Sequence, residues 1–521
     1  MNDWTKLIEA KRATQIAQIP PEWRLPTNLL QDINETSNQS AFNILRQNDL
    51  LTDDEVRLTE KYSARDLCAE LAAGRLSATE VCTAFCHRAA VAHQLTNCAT
   101  EIFFGEAIER AKQLDDHLVA NGKPLGPFHG LPISLKDTFN VIGQSATVGY
   151  VSFLARGVAT SNSPLVNILL DLGAILYIKT NVPQTMLTVD TENNIFGRTL
   201  NPYCFSLTAG GSSGGEGALV GLHGSPMGIG TDIGGSIRLP SLCNGLYGFK
   251  PTADRVAYGG QQSPARIGSP GIVASAGPLC HSSADLAFFT QHILTALPWT
   301  RDPTALSVPW RHLKPPSSLK VGVWLGDPQV PLDTSVQLAL GATAEKLRLA
   351  GHQVINIENF PHITTAAQIA TGFFRLDNKQ VEKQYLEASG EKPIKSLAYI
   401  FPANAAENRS SGLDDVWDLN VQLASFRKDV FNTWRSVGMD VLLCPVAQHG
   451  AVSHDTFGPP LYTMIWNLLD FPAAVLPIRD NNERHGTDNS KLPCALQVVG
   501  WRFQDEEVLA ATEAIDMNLN E

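Results

Sequence analysis

Between Thr208 and Thr252 more than one residue in four is Gly, and these residues gather into two turns. The turns read Gly210-Gly211-Ser212-Ser213-Gly214-Gly215 and Gly234-Gly235-Ser236. Gly at this density marks backbone held in dihedrals closed to other residues, or pressed against a neighbour with no side chain between. The apolar segment that joins the turns, Ala218 to Ile229, is long enough for a short helix and a buried strand. Hydroxyls on Gly-lined loops beside bare backbone N–H groups are what acyl transfer requires. A nucleophile needs open approach, and an oxyanion needs donors that no side chain screens.

The periodicity around this stretch is that of alternating strands and helices. Ser63 opens a helix that stops at Gly74, and Ser77-Ala78-Thr79-Glu80 is a capping box for a second helix with Val81, Cys82, Phe85, Cys86 and Ala89 on one face. A third carries Ile108, Ala111, Leu114 and Leu118 up to Asn121-Gly122. Alternation through Leu131, Ile133 and Leu135 predicts a strand that delivers Lys136 at its end. Ser163-Pro164 starts a helix that Gly173 ends, and Ala174–Ile178 reads as a buried strand. Strands are also expected at Lys320–Trp324, Gln353–Ile357, Asp440–Val446 and Ala495–Val499, with a closing helix at Gln504–Met517. This rhythm predicts an α/β fold with a mainly parallel sheet covered on both faces. Residues 1–58 are polar and Pro-punctuated, and are expected to form a helical extension on a body of residues 59–521.

Composition removes several classes of function. Forty basic against 52 acidic residues give a formal charge of −12, which disfavours nucleic acid as the main partner. Nine Cys without a CxxC pair read as reduced thiols rather than a disulfide framework, and so as a cytoplasmic protein. No run of 18 apolar residues predicts a membrane span, and the N-terminus lacks a signal-peptide core. Metal chemistry has little support. There is no HExxH or EF-hand loop, and Cys82, Cys86 and His87 at helical spacing read as core fillers. The Gly turns could cradle phosphate, but no Lys stands at P-loop spacing. No cofactor is expected.

Two nucleophile readings follow from the residues. Gly210-Gly211-Ser212-Ser213-Gly214 matches GxSxG, which makes Ser212 the nucleophile and requires an acid and a His from among His449, His454 and His485. In the other reading Ser236 is the nucleophile, and Ser212 and Lys136 are its activating relay. That reading uses both Gly-flanked Ser residues and the Lys that follows an apolar strand.

Phe128-His129-Gly130-Leu131-Pro132 leading to Ser134-Leu135-Lys136-Asp137, GGSSGGEGA at 210–218 and GTDIGGSIRLP at 230–240 resemble the amidase signature family. Lys179-Thr180-Asn181-Val182-Pro183-Gln184 and Asn201-Pro202 fit the same pattern, and LTNCA at 95–99 suggests its fungal acetamidase-like branch. The resemblance implies a single α/β/α domain with a mixed, largely parallel sheet, and an amide hydrolase with a Ser–cis-Ser–Lys triad. By that resemblance Ser236 is the nucleophile, Ser212 the bridging Ser and Lys136 the base. The backbone of Ile233, Gly234, Gly235 and Ser236 forms the oxyanion hole. Ser213, Asp232 and Arg238 support the site, and Met186, Ser212 and Ile233 contact substrate. The implied partner is a small-molecule amide. Neither the acyl group, nor hydrolysis against acyl transfer, nor a homodimer is fixed by these motifs. The base must be neutral to work. Moving a Lys from its ordinary value near 10.4 to about 7 costs roughly 4–5 kcal/mol, which burial without a carboxylate partner can supply.

Overall fold

A computed structural model describes residues 3–398, 410–478 and 492–520. Its centre is one mixed sheet. The strands in chain order are β1 (Ala99–Ile102), β2 (Pro132–Lys136), β3 (Ile175–Thr180), β6 (Met227–Asp232), β7 (Tyr247–Lys250), β8 (Ser275–Cys280), β9 (Lys320–Trp324), β10 (Gln353–Ile357), β11 (Val441–Pro445), β12 (Ala473–Ile478) and β13 (Cys494–Val499). Two short strands, β4 (Glu192–Asn193) and β5 (Gly197–Arg198), pair separately. The spatial order is β1-β3-β2-β6-β8-β7-β12-β13-β11-β9-β10. Parallel ladders join β3, β2 and β6 at one side and β11, β9 and β10 at the other. Antiparallel pairs link these two blocks through β8, β7, β12 and β13, and β1 closes the near edge antiparallel to β3.

Both faces of this sheet are buried, as alternate residues of β11 make plain. Leu442 and Cys444 join a core with the helices Ile363–Phe374, Leu413–Val437 and Leu461–Leu469. Val441 and Leu443 join another, formed with Thr334–Leu349 and Asp505–Asn520. Successive side chains of a strand point to opposite faces, so two cores on one strand mean helices on both sides. The molecule is thus a three-layer α/β domain.

The helices of the first half start where the sequence indicates. Ser63 Oγ accepts from Asp66 N and Ser77 Oγ from Glu80 N, each at 3.1 Å, which satisfies one orphan donor of the first turn. Asn97 and Gly122, both in the left-handed region, end the helices Ala78–Thr96 and Phe104–Asn121. Ser163 departs from expectation: it precedes the helix Pro164–Asp171, but its hydroxyl accepts from Asn140 N and donates to Gly260 O instead of capping. Four strands of the central sheet lie outside the sequence expectation, β1, β7, β8 and β12, as do the short β4 and β5. Their segments, such as Tyr-Gly-Phe-Lys at 247–250, are short and show no alternation. β7, β8 and β12 are strands because the sheet surrounds them, and β1 because it pairs with β3. The N-terminal stretch contains the helices Asp3–Ala17, Thr27–Leu30, Ala41–Gln47 and Asp53–Glu60.

Candidate active site

Parallel pairing of β2 with β6 sets Ser134 opposite Gly228 and Leu135 opposite Ile229. The carboxyl ends of these neighbours therefore carry Lys136 on one strand and Thr231 and Asp232 on the other. Carboxyl ends of strands are where open α/β sheets place their ligands. The turn before the helix Gly214–Gly221 comes down onto the same point, and its Gly211–Ser212 peptide is cis. Ser213 N donates to Ser236 O at 3.2 Å, which ties the two Gly-rich turns together.

Lys136 is fully buried, and its Nζ donates to Ser212 Oγ at 2.7 Å and to Thr231 Oγ1 at 2.9 Å, with Thr231 O at 3.4 Å. No carboxylate among the described residues lies within ion-pair distance of it. Burial lowers the pKa of this ammonium to about 7, against the opposing pull of Asp232, Glu216 and Asp137 at longer range. The adjacent Asp137 is engaged elsewhere. It accepts from Thr100 Oγ1 at 2.7 Å and from the amides of Thr147 and Val148 at 2.9 and 2.7 Å, and faces Lys179 at 3.9 Å. The amine is buried and bonded to a hydroxyl.

The second turn is held by Asp232. Its Oδ1 accepts from Gly235 N at 2.8 Å and its Oδ2 from Ile237 N at 3.1 Å. Arg238 grips the same carboxylate through Nε and a terminal nitrogen, both at 3.0 Å, and neither side chain is exposed. Burial alone would raise the Asp232 pKa, but the Arg238 guanidinium and the hydrogen bonds drive it far below the usual range. Asp232 is a carboxylate at every working pH. Gly235 has φ +134°, and a Cβ there would stand 2.2 Å from Thr463 Oγ1, so only Gly fits.

The anticipated oxyanion donors divide as a result. The Gly235 N–H is committed to Asp232, whereas the amides of Ile233, Gly234 and Ser236 donate to no acceptor among the described residues. Ser236 is part-exposed, and among the described residues its hydroxyl makes no hydrogen bond. Ile233 is half-buried against the core that the helix Leu461–Leu469 helps to form. Met186, 8% exposed, packs with Val148, Tyr150, Phe153 and Leu386. The loop after Met186 backs the first turn, because the Thr188 and Val189 backbone lies against Gly211.

Among the described residues neither His454 nor His449 bonds to Ser212, although His449 lies in the recess beside Phe457 and Pro460. His454 contacts Asp190 Oδ1 at 3.3 Å and Phe205 O at 2.9 Å, and His449 contacts Gly450 O and lies edge-on to Phe457. His485 lies outside the described residues. Cys82 and Cys86 are buried core residues, and His87 pairs with Glu55 at 2.7 Å and stacks on Trp23. Sequence reasoning missed Thr231, Thr463 and Asn467, and it quoted Glu216 without giving it a role. Thr231 stood in plain view beside Asp232. Asn467, which donates to Asp232 Oδ1 at 2.9 Å, had no local signal because it arrives from a helix more than two hundred residues away.

A family model for amidases matches residues 80–509 of this chain. The chain belongs to the amidase family. It is 42% identical to an amidase of Gibberella moniliformis across 98% of both chains, and 33% identical to an acetamidase of Emericella nidulans across 98% and 97%. Among solved structures it superposes on a fatty acid amide hydrolase with a TM-score of 0.91 and 32% identity, covering 100% of this chain and 95% of that one. A bacterial aryl acylamidase of the amidase signature family, 24% identical with a TM-score of 0.71 over 88% of this chain, shares the fold. This member of the amidase family is an amide hydrolase, and none of its described helices is long and apolar enough to cross a membrane.

Proposed function

We propose that this amidase cleaves a carboxylic amide to an acid plus ammonia or an amine through an acyl-enzyme on Ser236. Neutral Lys136 takes a proton from Ser212, and Ser212 takes one from Ser236 as its oxygen attacks the carbonyl carbon. The proton then passes back along the same path to the leaving nitrogen. Water, deprotonated by the same relay, attacks the ester and frees Ser236. The developing oxyanion is met by the amides of Ile233, Gly234 and Ser236, while Asp232, clamped by Arg238, keeps the turn in shape. One observation carries the reading: a buried amine, with no carboxylate partner among the described residues, 2.7 Å from Ser212 Oγ. The same observation counts against a Ser212–His esterase, because Ser212 already has its partner and the described His residues have others. The reading also takes residues 59–521 as the catalytic body, residues 1–58 as its helical extension and the cytoplasm as its location.

Small aliphatic amides are the proposed substrates. The similarity to acetamidases supports this, and so does a narrow recess lined by Val446, Phe457, Pro460 and Leu461. Pro460 Cγ lies 4.0 Å from where a Gly234 Cβ would stand, so the recess adjoins the oxyanion turn. A hydrolysis panel from acetamide to aryl and long-chain amides tests this, run on the wild type and on Ser236→Ala, Lys136→Ala and His454→Ala. Turnover of short amides that the first two substitutions abolish and the third spares is expected. A dead His454 variant beside a live Lys136 variant would favour the esterase. Hydroxylamine in the assay reports acyl transfer: a hydroxamate that forms at the expense of acid would mark a transferase acting on a particular acceptor.

A further inference from the structure

A second carboxyl lies as deep as Asp232 and is treated in the opposite way. Glu216, in the first turn of the helix Gly214–Gly221, is fully buried. Its Oε2 is 2.6 Å from Ser134 Oγ on β2, and its Oε1 is 2.8 Å from Thr180 Oγ1 on β3. Space for it is cut from β6, where a Cβ on Gly228 would stand 1.9 Å from Oε2. Asp232 receives a guanidinium, an amide side chain and backbone N–H groups. Glu216 receives two hydroxyls, and no cation among the described residues is within ion-pair distance. A buried carboxylate without cation or N–H donors is the costly form, and two hydroxyls serve a carboxylic acid equally well. The network can also hold the proton. Thr180 Oγ1 has Leu135 O at 3.5 Å as its own acceptor, which leaves it free to accept from Glu216 while Ser134 donates to the other oxygen.

We propose that Glu216 is a positioning residue for Lys136, a neutral carboxylic acid that fastens β2 and β3 to the Ser212 turn. Ser134 is two residues before Lys136 and on the same face of β2. Glu216 is four residues after Ser212, in the first turn of the helix that follows the Ser212 turn. A single side chain therefore ties the strand of the base to the helix that follows the relay turn. Its neutrality also matters to the base, since a carboxylate here would favour the ammonium form of Lys136. The groups that face Glu216 from the elements around it are Lys136 on β2, Tyr177 on β3 and Cys98 beside β1. Burial lifts the Glu216 pKa to about 8, in agreement with the hydrogen bonding.

The inference rests on Lys136 as the base, and the experiment keeps the two apart. Infrared difference spectra of wild type minus Glu216→Gln at pH 7 should contain a protonated-carboxyl C=O band. In pH profiles of kcat/KM, the acid limb of Glu216→Gln should stay within about 0.3 units of the wild type, with kcat reduced less than about fivefold. Glu216→Ala should lose more than about tenfold in kcat with KM nearly constant. A carboxylate band in place of the acid band would overturn the proposal, as would an acid limb displaced downward by a unit in Glu216→Gln. So would a folded Glu216→Ala with the kcat of the wild type. If Glu216→Ala does not fold, the Gln variant alone decides. An active Lys136→Ala would instead defeat the reading beneath.

Discussion

Lys136 is held as an amine by burial without a carboxylate partner among the described residues. Its three polar contacts are hydroxyl and carbonyl oxygens, and the nearest charges are engaged with other groups. Because the amine must be unprotonated to accept from Ser212, kcat/KM should rise with pH through about 7 and fall tenfold per unit below it, as a pH-rate profile on a small amide will read. Stability moves with the same group. The folded value is depressed below the ordinary 10.5, so the unfolded chain binds the extra proton and the protein gains stability as pH rises from about 7 towards 10.5. Lys136→Met, which removes that buried amine, should therefore be inactive and more stable, with the gain larger at pH 7 than at pH 10 in urea titrations. Loss of acid–base assistance is worth on the order of 10²–10⁴ in rate. That is the expected fall in kcat for Lys136→Ala and Ser212→Ala.

At the scale of elements, the turn from Asp232 to Arg238 and the helix Leu461–Leu469 form one unit. Arg238 reaches Thr463 O at 3.0 Å, Gln497 Oε1 at 3.2 Å and Asn467 Oδ1 at 2.6 Å while it holds Asp232. Asp232→Asn keeps the shape and leaves the guanidinium buried without its counter-charge. Breaking a buried pair in this way costs about 3–5 kcal/mol, and chemical denaturation should read a loss of that size. The two halves of this unit were unequally legible. The Gly-rich turns and the end of β2 announced themselves because catalysis and close packing both demand unusual residues there, and Lys136, Ser212, Ser213, Asp232 and Arg238 do converge. Thr463 and Asn467 sit on an ordinary apolar helix whose face is chosen by tertiary contact, so no local pattern could mark them. The commitment of Gly235 N–H to Asp232 was equally invisible, since it depends on where one carboxylate turns. The missed strands β7, β8 and β12 lie in the middle of the sheet, where neighbours on both edges override weak propensity.

Across the whole molecule, the N-terminal helix Asp3–Ala17 packs on β1, the edge strand two places from the β2 that carries the base. Lys11 pairs with Glu101 on β1, Arg12 donates to Ile195 O, and Gln15 Nε2 donates to Ala99 O at 2.8 Å. Glu101 in turn belongs to the buried set that includes Lys179 and Asp137. Burial already raises the Glu101 pKa despite the pull of Lys11 and Lys179. Without Lys11 it should rise further, so the folded form is penalised as pH climbs above the ordinary carboxylate range. Lys11→Met should therefore destabilise the protein by about 1–3 kcal/mol given the part-exposed amine, and lower Tm more at pH 8 than at pH 5. Differential scanning calorimetry at the two pH values checks both sign and size.

The central claim is that an uncharged amine at position 136 activates the hydroxyl at 236. It is tested most directly by the rate at which a fluorophosphonate labels the protein between pH 5 and 9, with the modified residue mapped by mass spectrometry. We expect a single adduct on Ser236, a rate that rises with pH through about 7, and labelling that disappears in Lys136→Ala. An adduct on another residue, or a labelling rate that is flat with pH and indifferent to Lys136, would contradict it.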